Sequence, residues 1–111
     1  MFKKRILIDL DGVLNKYGNE KYDEYKLPDA KEGADNFLKN LSDFAELYLF
    51  TSRNLLSAAK WLIENDLDKY FADITNIKLP SYLYIDDRAV CFKGNYDKTL
   101  EEIMNFNVYW K

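Results

Sequence analysis

Apolar residues fall in short runs and in helical stripes that alternate along this 111-residue chain. The run Ile6-Leu7-Ile8 makes residues 5–9 a first strand, apolar on both sides, as suits a central parallel strand covered by helices on each face. From Asp29 onward Ala34, Phe37, Leu38 and Leu41 recur at i, i+3, i+4 and i+7, the stripe of an amphipathic helix, with Asp29 and Glu32 placed as a capping box at its start. Residues 45–50, Ala-Glu-Leu-Tyr-Leu-Phe, form a second strand. Leu55, Ala59, Leu62 and Ile63 then mark a second helix, capped by Ser52 or Asn54. A short third strand covers 73–76, and Tyr82-Leu83-Tyr84-Ile85 is a stronger fourth. Residues 89–92 read as a short edge strand and Gly94-Asn95 as a turn. Asp97 would cap a last helix with Leu100, Ile103 and Met104 facing inward.

This alternation predicts an α/β fold, a three-layer α/β/α sandwich around a parallel, Rossmann-like sheet, in which ligands bind beyond the carboxyl ends of the strands. Residues 12–28 break the alternation, mixing Gly12, Asn15, Gly18, Asn19 and Pro28 with Tyr17, Tyr22 and Tyr25, and so read as a loop or flap projecting from the first strand's end. The tyrosines of such a flap either anchor it to the body or stack on a base or sugar, and anchoring is the commoner use. Trp61 reads as core, and Trp110 as packing back onto the sheet. At 111 residues the chain is read as a single domain, 1–111.

Composition narrows the chemistry. With 48% apolar and 32% charged residues the chain has the makeup of an ordinary globular protein rather than a disordered one. Its net charge is −3, and without Asp9, Asp11, Asp86 and Asp87 the remainder is +1, too near neutral for a strongly basic nucleic-acid surface. The lone Cys91 excludes an internal disulfide and the absence of histidine excludes a Cys/His zinc site, which together suit a reducing, cytoplasmic setting. Lys3-Lys4-Arg5 before an apolar run imitates a signal peptide, but Asp9 and Asp11 end the run at once. No apolar stretch approaches the ~18 residues of a membrane span, so no membrane partner is expected.

The candidate chemistry lies at strand ends. Asp9-Leu10-Asp11-Gly12-Val13 places two carboxylates one residue apart where the first strand stops, and residues i and i+2 of an extended chain point the same way. Asp86-Asp87 repeats the pattern after the fourth strand, where a buried strand ending in two acids is costly without a cation. Thr51 closes the second strand and Lys78 precedes the fourth.

In this order the residues resemble the haloacid dehalogenase superfamily of aspartate-nucleophile phosphatases. Asp9-Leu10-Asp11-Gly12-Val13 looks like its first motif, Leu49-Phe50-Thr51 its second, Lys78 its third and Ile85-Asp86-Asp87 its fourth, so the likeness spans residues 5–92. The stretches Thr51-Ser52-Arg53, Thr75-Asn76-Ile77-Lys78 and Ile85-Asp86-Asp87-Arg88-Ala89 look especially like its small members without a cap domain. About 40 residues separate Asp11 from Thr51, and fewer separate Thr51 from Lys78, which leaves no room for a cap.

The resemblance implies a phosphatase in which Asp9 attacks phosphorus to form an aspartyl-phosphate and Asp11 carries the proton of the leaving oxygen and of the attacking water. It implies phosphate binding by Thr51, with Ser52 beside it, and by Lys78. A magnesium ion would be held by Asp9, the backbone carbonyl of Asp11 and Asp86, with Asp87 acting through a water or by orienting Lys78. Seven residues between Lys78 and Asp86, with Pro80 among them, favour an extended loop over a helix, so Arg53 and Lys93 are the fallback cations. The substrate would be a phosphorylated small molecule or a nucleic-acid end, with the open site closed by the flap or by a second copy in a homo-oligomer. Two rivals are a receiver-like signalling domain, which would carry its acidic pair first and its acceptor Asp near mid-chain, and a non-catalytic interaction module on the same fold.

Overall fold

A computed structural model describes residues 3–18 and 21–111. Asn19 of the expected flap lies outside the described residues. The fold is α/β: strands β1 (Lys4–Asp9), β2 (Ala45–Phe50), β3 (Phe71–Thr75) and β4 (Leu83–Ile85), with helices α1 (Ala34–Ser42), α2 (Leu55–Glu64) and α3 (Tyr96–Met104). The strands form one parallel sheet in the order β3-β2-β1-β4, flanked by helices in the Rossmann-like manner.

The sheet order follows from the two early βα units. Each returns its strand one place to the same side, so α1 and α2 share one face. There Ile6 and Ile8 of β1 and Leu47 and Leu49 of β2 are buried against Ala34 and Leu38 of α1 and Ala58, Trp61 and Leu62 of α2. The indole of Trp61 satisfies its one polar atom by donating to the Pro28 carbonyl at 2.9 Å, so the core residue also holds the far end of the 12–28 loop. The opposite face carries Arg5, Leu7, Tyr48 and Tyr84, and the connection from β3 to β4 is tied along it. Arg5 Nη1 donates to the Pro80 carbonyl at 3.2 Å and the Tyr84 hydroxyl to the Leu79 carbonyl at 3.0 Å.

Register aligns the strand ends. Asp9 is level with Phe50, Phe50 with Thr75 and Ile8 with Ile85, so Asp9, Thr51 and Asp86 emerge along one edge of the sheet.

Four local expectations are corrected. Asp29 and Glu32 do not cap α1: the helix starts at Ala34 after Gly33, whose φ of 88° is open to glycine and not to the residues around it, and no side chain caps the turn. Residues 89–92 pair with no strand; Phe92 instead packs on Tyr96, ring centroids 5.2 Å apart. In α3, capped by Asn95 rather than Asp97, Leu100, Ile103 and Met104 are 57%, 55% and 79% exposed, so the helix forms with its apolar stripe outward. Asn54 does cap α2, accepting from the Ser57 N–H at 3.1 Å. No helix among the described residues is long and apolar enough to cross a membrane.

Candidate active site

The end of β1 sets the geometry. After Asp9 the chain coils on itself, the Leu14 N–H reaching the Leu10 carbonyl at 2.9 Å, with Leu10 and Leu14 both fully buried. The i, i+2 rule therefore stops applying at Asp9, and Asp9 and Asp11 send their carboxylates to different partners. Asp9 joins Asp86 and Asp87, with a carboxylate oxygen from each lying within 4.8 Å of the others. Its carboxyl is pushed up to about 8, first by burial, then by a hydrogen bond with Asp87 and the negative charges of Asp86 and Asp87, against the lowering effect of the Leu10 N–H. Asp11 instead accepts from Arg53 Nε on Oδ2 at 2.7 Å and from Asn15 Nδ2 on Oδ1 at 2.9 Å.

Gly12 makes room for this arrangement. Its φ is +82°, and a β-carbon there would stand 2.2 Å from Asp87 Oδ2 and 2.9 Å from Trp110 Nε1. Asn15, wholly buried, fixes the turn: its Oδ1 accepts from the N–H groups of Gly12 and Tyr17, both at 3.1 Å, while its Nδ2 serves Asp11. Sequence reading overlooked Asn15; a polar residue directly after Val13-Leu14, four positions from Asp11, was the available sign.

Thr51 is buried, and its Oγ1 accepts from the Arg53 N–H at 3.1 Å, which leaves the hydroxyl proton free to donate. Asp9, Asp11, Thr51, Ser52, Asp86 and Asp87 all line one cavity of about 280 Å³, and Tyr17, Tyr22 and Arg88 complete its wall. The structure thus brings together every expected site residue except Lys78. Lys78 is exposed, its Nζ 4.7 Å from the centroid of the Tyr84 ring, because the carbonyls of Leu79 and Pro80 tie its loop along the sheet face instead of toward the strand ends. Lys93 is also elsewhere, beside Cys91 and Lys98.

The cations at the site are Arg53 and Arg88. Arg53 is almost wholly buried; besides Asp11 it donates from Nη1 to the Asp23 carbonyl, and its guanidinium lies 4.5 Å from the centroid of the Tyr22 ring. Arg88 donates its backbone N–H to Asp86 Oδ1 at 2.8 Å and stands over the Trp110 ring. Trp110 does not pack on the sheet as expected. Its Nε1 donates to Asp87 Oδ2 at 2.6 Å and its ring meets Tyr17 edge-on at 5.3 Å, while the neighbouring Tyr109 hydroxyl bonds the Gly12 carbonyl. Asp87 is therefore engaged by an indole and does not orient Lys78, which lies over Tyr84.

Three carboxylates offer oxygen donors only, and burial together with the nearby charges of Asp86 and Asp87 raises the proton affinity of Asp9; this fits a hard divalent cation such as magnesium. Asp9, Asp86 and Asp87 are the side chains that would hold it. The side chain of Asp11 is engaged by Arg53 and Asn15, leaving only its backbone carbonyl for such a role.

No family model matches this chain, and no curated protein matches it. Among solved structures it is similar to a conserved protein coded by a locus from Bacteroides thetaiotaomicron, at 23% sequence identity and a TM-score of 0.61, over 94% of this chain and 92% of that one. The likeness is one of fold.

Proposed function

We propose that the chain is a magnesium-dependent phosphohydrolase that works through an aspartyl-phosphate at Asp9, with a phosphorylated small molecule or a nucleic-acid end as substrate. The lone, exposed Cys91 suits a reducing cytoplasm. The observation that supports the function most directly is the meeting of Asp9, Asp86 and Asp87 in one cavity with the hydroxyls of Thr51 and Ser52.

A bound magnesium ion would offset the charge of the three carboxylates and of the phosphate, which lets Asp9 be ionised at neutral pH. An Asp9 oxygen forms the bond to phosphorus as the ester oxygen departs, and that oxygen takes a proton from Asp11. Water then attacks the phosphoryl group, returns a proton to Asp11, and frees phosphate and Asp9. Thr51 donates its hydroxyl to a phosphoryl oxygen, and Arg88 supplies the positive charge that Lys78 was expected to bring. For Asp11 to carry a proton it must be released from Arg53, since both of its oxygens accept hydrogen bonds in this conformation.

The test is a panel of phosphomonoesters, with an aryl phosphate included, run on wild type and Asp9→Asn with and without magnesium. Turnover should require magnesium and fall by more than about 10³-fold in Asp9→Asn, with the fold retained. Full activity in Asp9→Asn would overturn the mechanism, and no hydrolysis of any ester would favour the non-catalytic module. A stable phosphoryl group without turnover would favour the receiver-like reading.

A further inference from the structure

A second cavity, of about 650 Å³, lies between the flap and Arg53, and the reading of the first as a phosphohydrolase site leaves it unused. Tyr17 and Tyr22 line both cavities, so the two are neighbours across these rings. Their charges are opposite. The smaller cavity is walled by Asp9, Asp11, Asp86 and Asp87 with Arg88, whereas the larger is walled by Lys16, Lys21, Lys26 and Arg53 against Asp23 and Asp29.

In a chain of net charge −3, Lys16, Lys21 and Lys26 around one hollow depart from the average surface, the charge of Arg53 being already paired with Asp11. The two carboxylates opposing the three lysines leave the hollow with a positive excess. Asp23 Oδ1 already accepts from the N–H groups of Tyr25 and Lys26, at 2.9 and 3.2 Å, and Asp29 is exposed. The wall is also held in place without a ligand. The Lys16 N–H donates to the Asp29 carbonyl at 2.8 Å, Trp61 Nε1 holds the Pro28 carbonyl and Arg53 Nη1 holds that of Asp23. These bonds hold the backbone of the wall, while the exposed side chains of Lys16, Lys21 and Lys26 are ordered only as an anion enters.

We propose that this cavity binds a second phosphate carried by the leaving group, so that the substrate is a phosphomonoester whose alcohol bears another phosphoryl group. The proposal rests on the phosphohydrolase reading of the neighbouring cavity. The ester to be cleaved sits with Asp9 and Thr51, the alcohol passes Tyr17 and Tyr22, and the second phosphate meets the lysines. Both a small bisphosphate and the 5′ end of a polynucleotide have this chemistry.

The experiment compares adenosine 3′,5′-bisphosphate, a 5′-phosphorylated trinucleotide and the two adenosine monophosphates. It follows hydrolysis by wild type and, by calorimetry with magnesium, binding to Asp9→Asn. At least one doubly phosphorylated ligand should exceed the monophosphates by about tenfold or more in kcat/KM and in affinity. In Lys21→Ala/Lys26→Ala that ratio should fall to within about twofold, while Lys39→Ala, on α1, keeps it. Preference for the trinucleotide assigns the second phosphate to a polynucleotide end, and preference for the bisphosphate to a small molecule.

Equal use and equal binding of singly and doubly phosphorylated ligands, a preference that survives the double substitution, or binding of none of them overturns the proposal. Hydrolysis without preference sinks the second-phosphate assignment alone. Preferential binding with no hydrolysis of any ester sinks the phosphohydrolase reading and leaves the cationic cavity standing.

Discussion

Helices α1 and α3 have the same length and the same kind of apolar stripe, yet Leu38 of α1 is fully buried and no residue of α3 is. The difference lies in what each faces. α1 sits inside a β-α-β crossover, which presses Ala34 and Leu38 onto β1 and β2 while Phe37 stays 43% exposed; α3 follows the three-residue edge strand β4, with no later strand among the described residues to draw it back. Amphipathic spacing forms a helix, while topology decides whether the stripe is covered. The candidate site spans this divide, with Asp9 and Thr51 on the densely packed side and Asp86 and Asp87 on the sparse one.

Cutting one side chain from each helix gives the largest contrast. Leu38→Ala should cost about 2–5 kcal/mol in chemical denaturation, whereas Leu100→Ala should cost less than about 1 kcal/mol. Equal losses would mean that α3 is packed in solution, and sedimentation would then ask whether a second copy covers it.

The joint between the two sides gives a smaller effect, and one with a sign. Asp9 holds its proton up to about 8 in the folded, metal-free protein, while in the unfolded chain it gives that proton up near pH 4. Between those values the native state binds more protons, so stability should fall as pH rises, by no more than about 1.4 kcal/mol per pH unit. Thermal melts across pH 4–8 should show this slope, and Asp9→Asn or added magnesium should flatten it. A wild-type profile as flat as that of Asp9→Asn would remove the inferred crowding of charge at the joint.

The caps offer the finest comparison. Asn54 and Asn95 make the same bond, accepting from an N–H three residues on, at 3.1 and 3.0 Å. Asn54→Ala should lower global stability by about 1 kcal/mol, because α2 belongs to the core. Asn95→Ala should leave the global transition within about 0.3 kcal/mol and show instead as faster amide exchange in α3. Equal global losses would erase the distinction between the two sides.

What was legible in the sequence divides instead by range along the chain. Strands β1, β2 and β4, helices α1 and α2, and the convergence of Asp9, Thr51 and Asp86 could be read because each depends on local periodicity plus the rule that parallel strands end together. The partner of Asp11 could not, since Arg53 lies 42 residues away and reaches it only after the chain coils at Leu10. Lys78 was misplaced because its position depends on how the β3–β4 connection lies across the sheet. Gly33, not the acidic residues before it, marks the start of α1, because a left-handed φ overrides a side-chain pattern.

The hydrogen bond from Tyr109 to the Gly12 carbonyl joins residues 97 positions apart, with Trp110 bound to Asp87 beside it. Closing so long a loop is entropically slow to begin and is rewarded only when both ends are already shaped. In the order of folding, β1, β2 and β3 with their two-helix layer can form from successive β-α-β units first, before β4 closes on β1 across 77 residues. The carboxylate cluster reaches its final arrangement only when the end of the described chain swings back to its start, so competence would lag behind compactness.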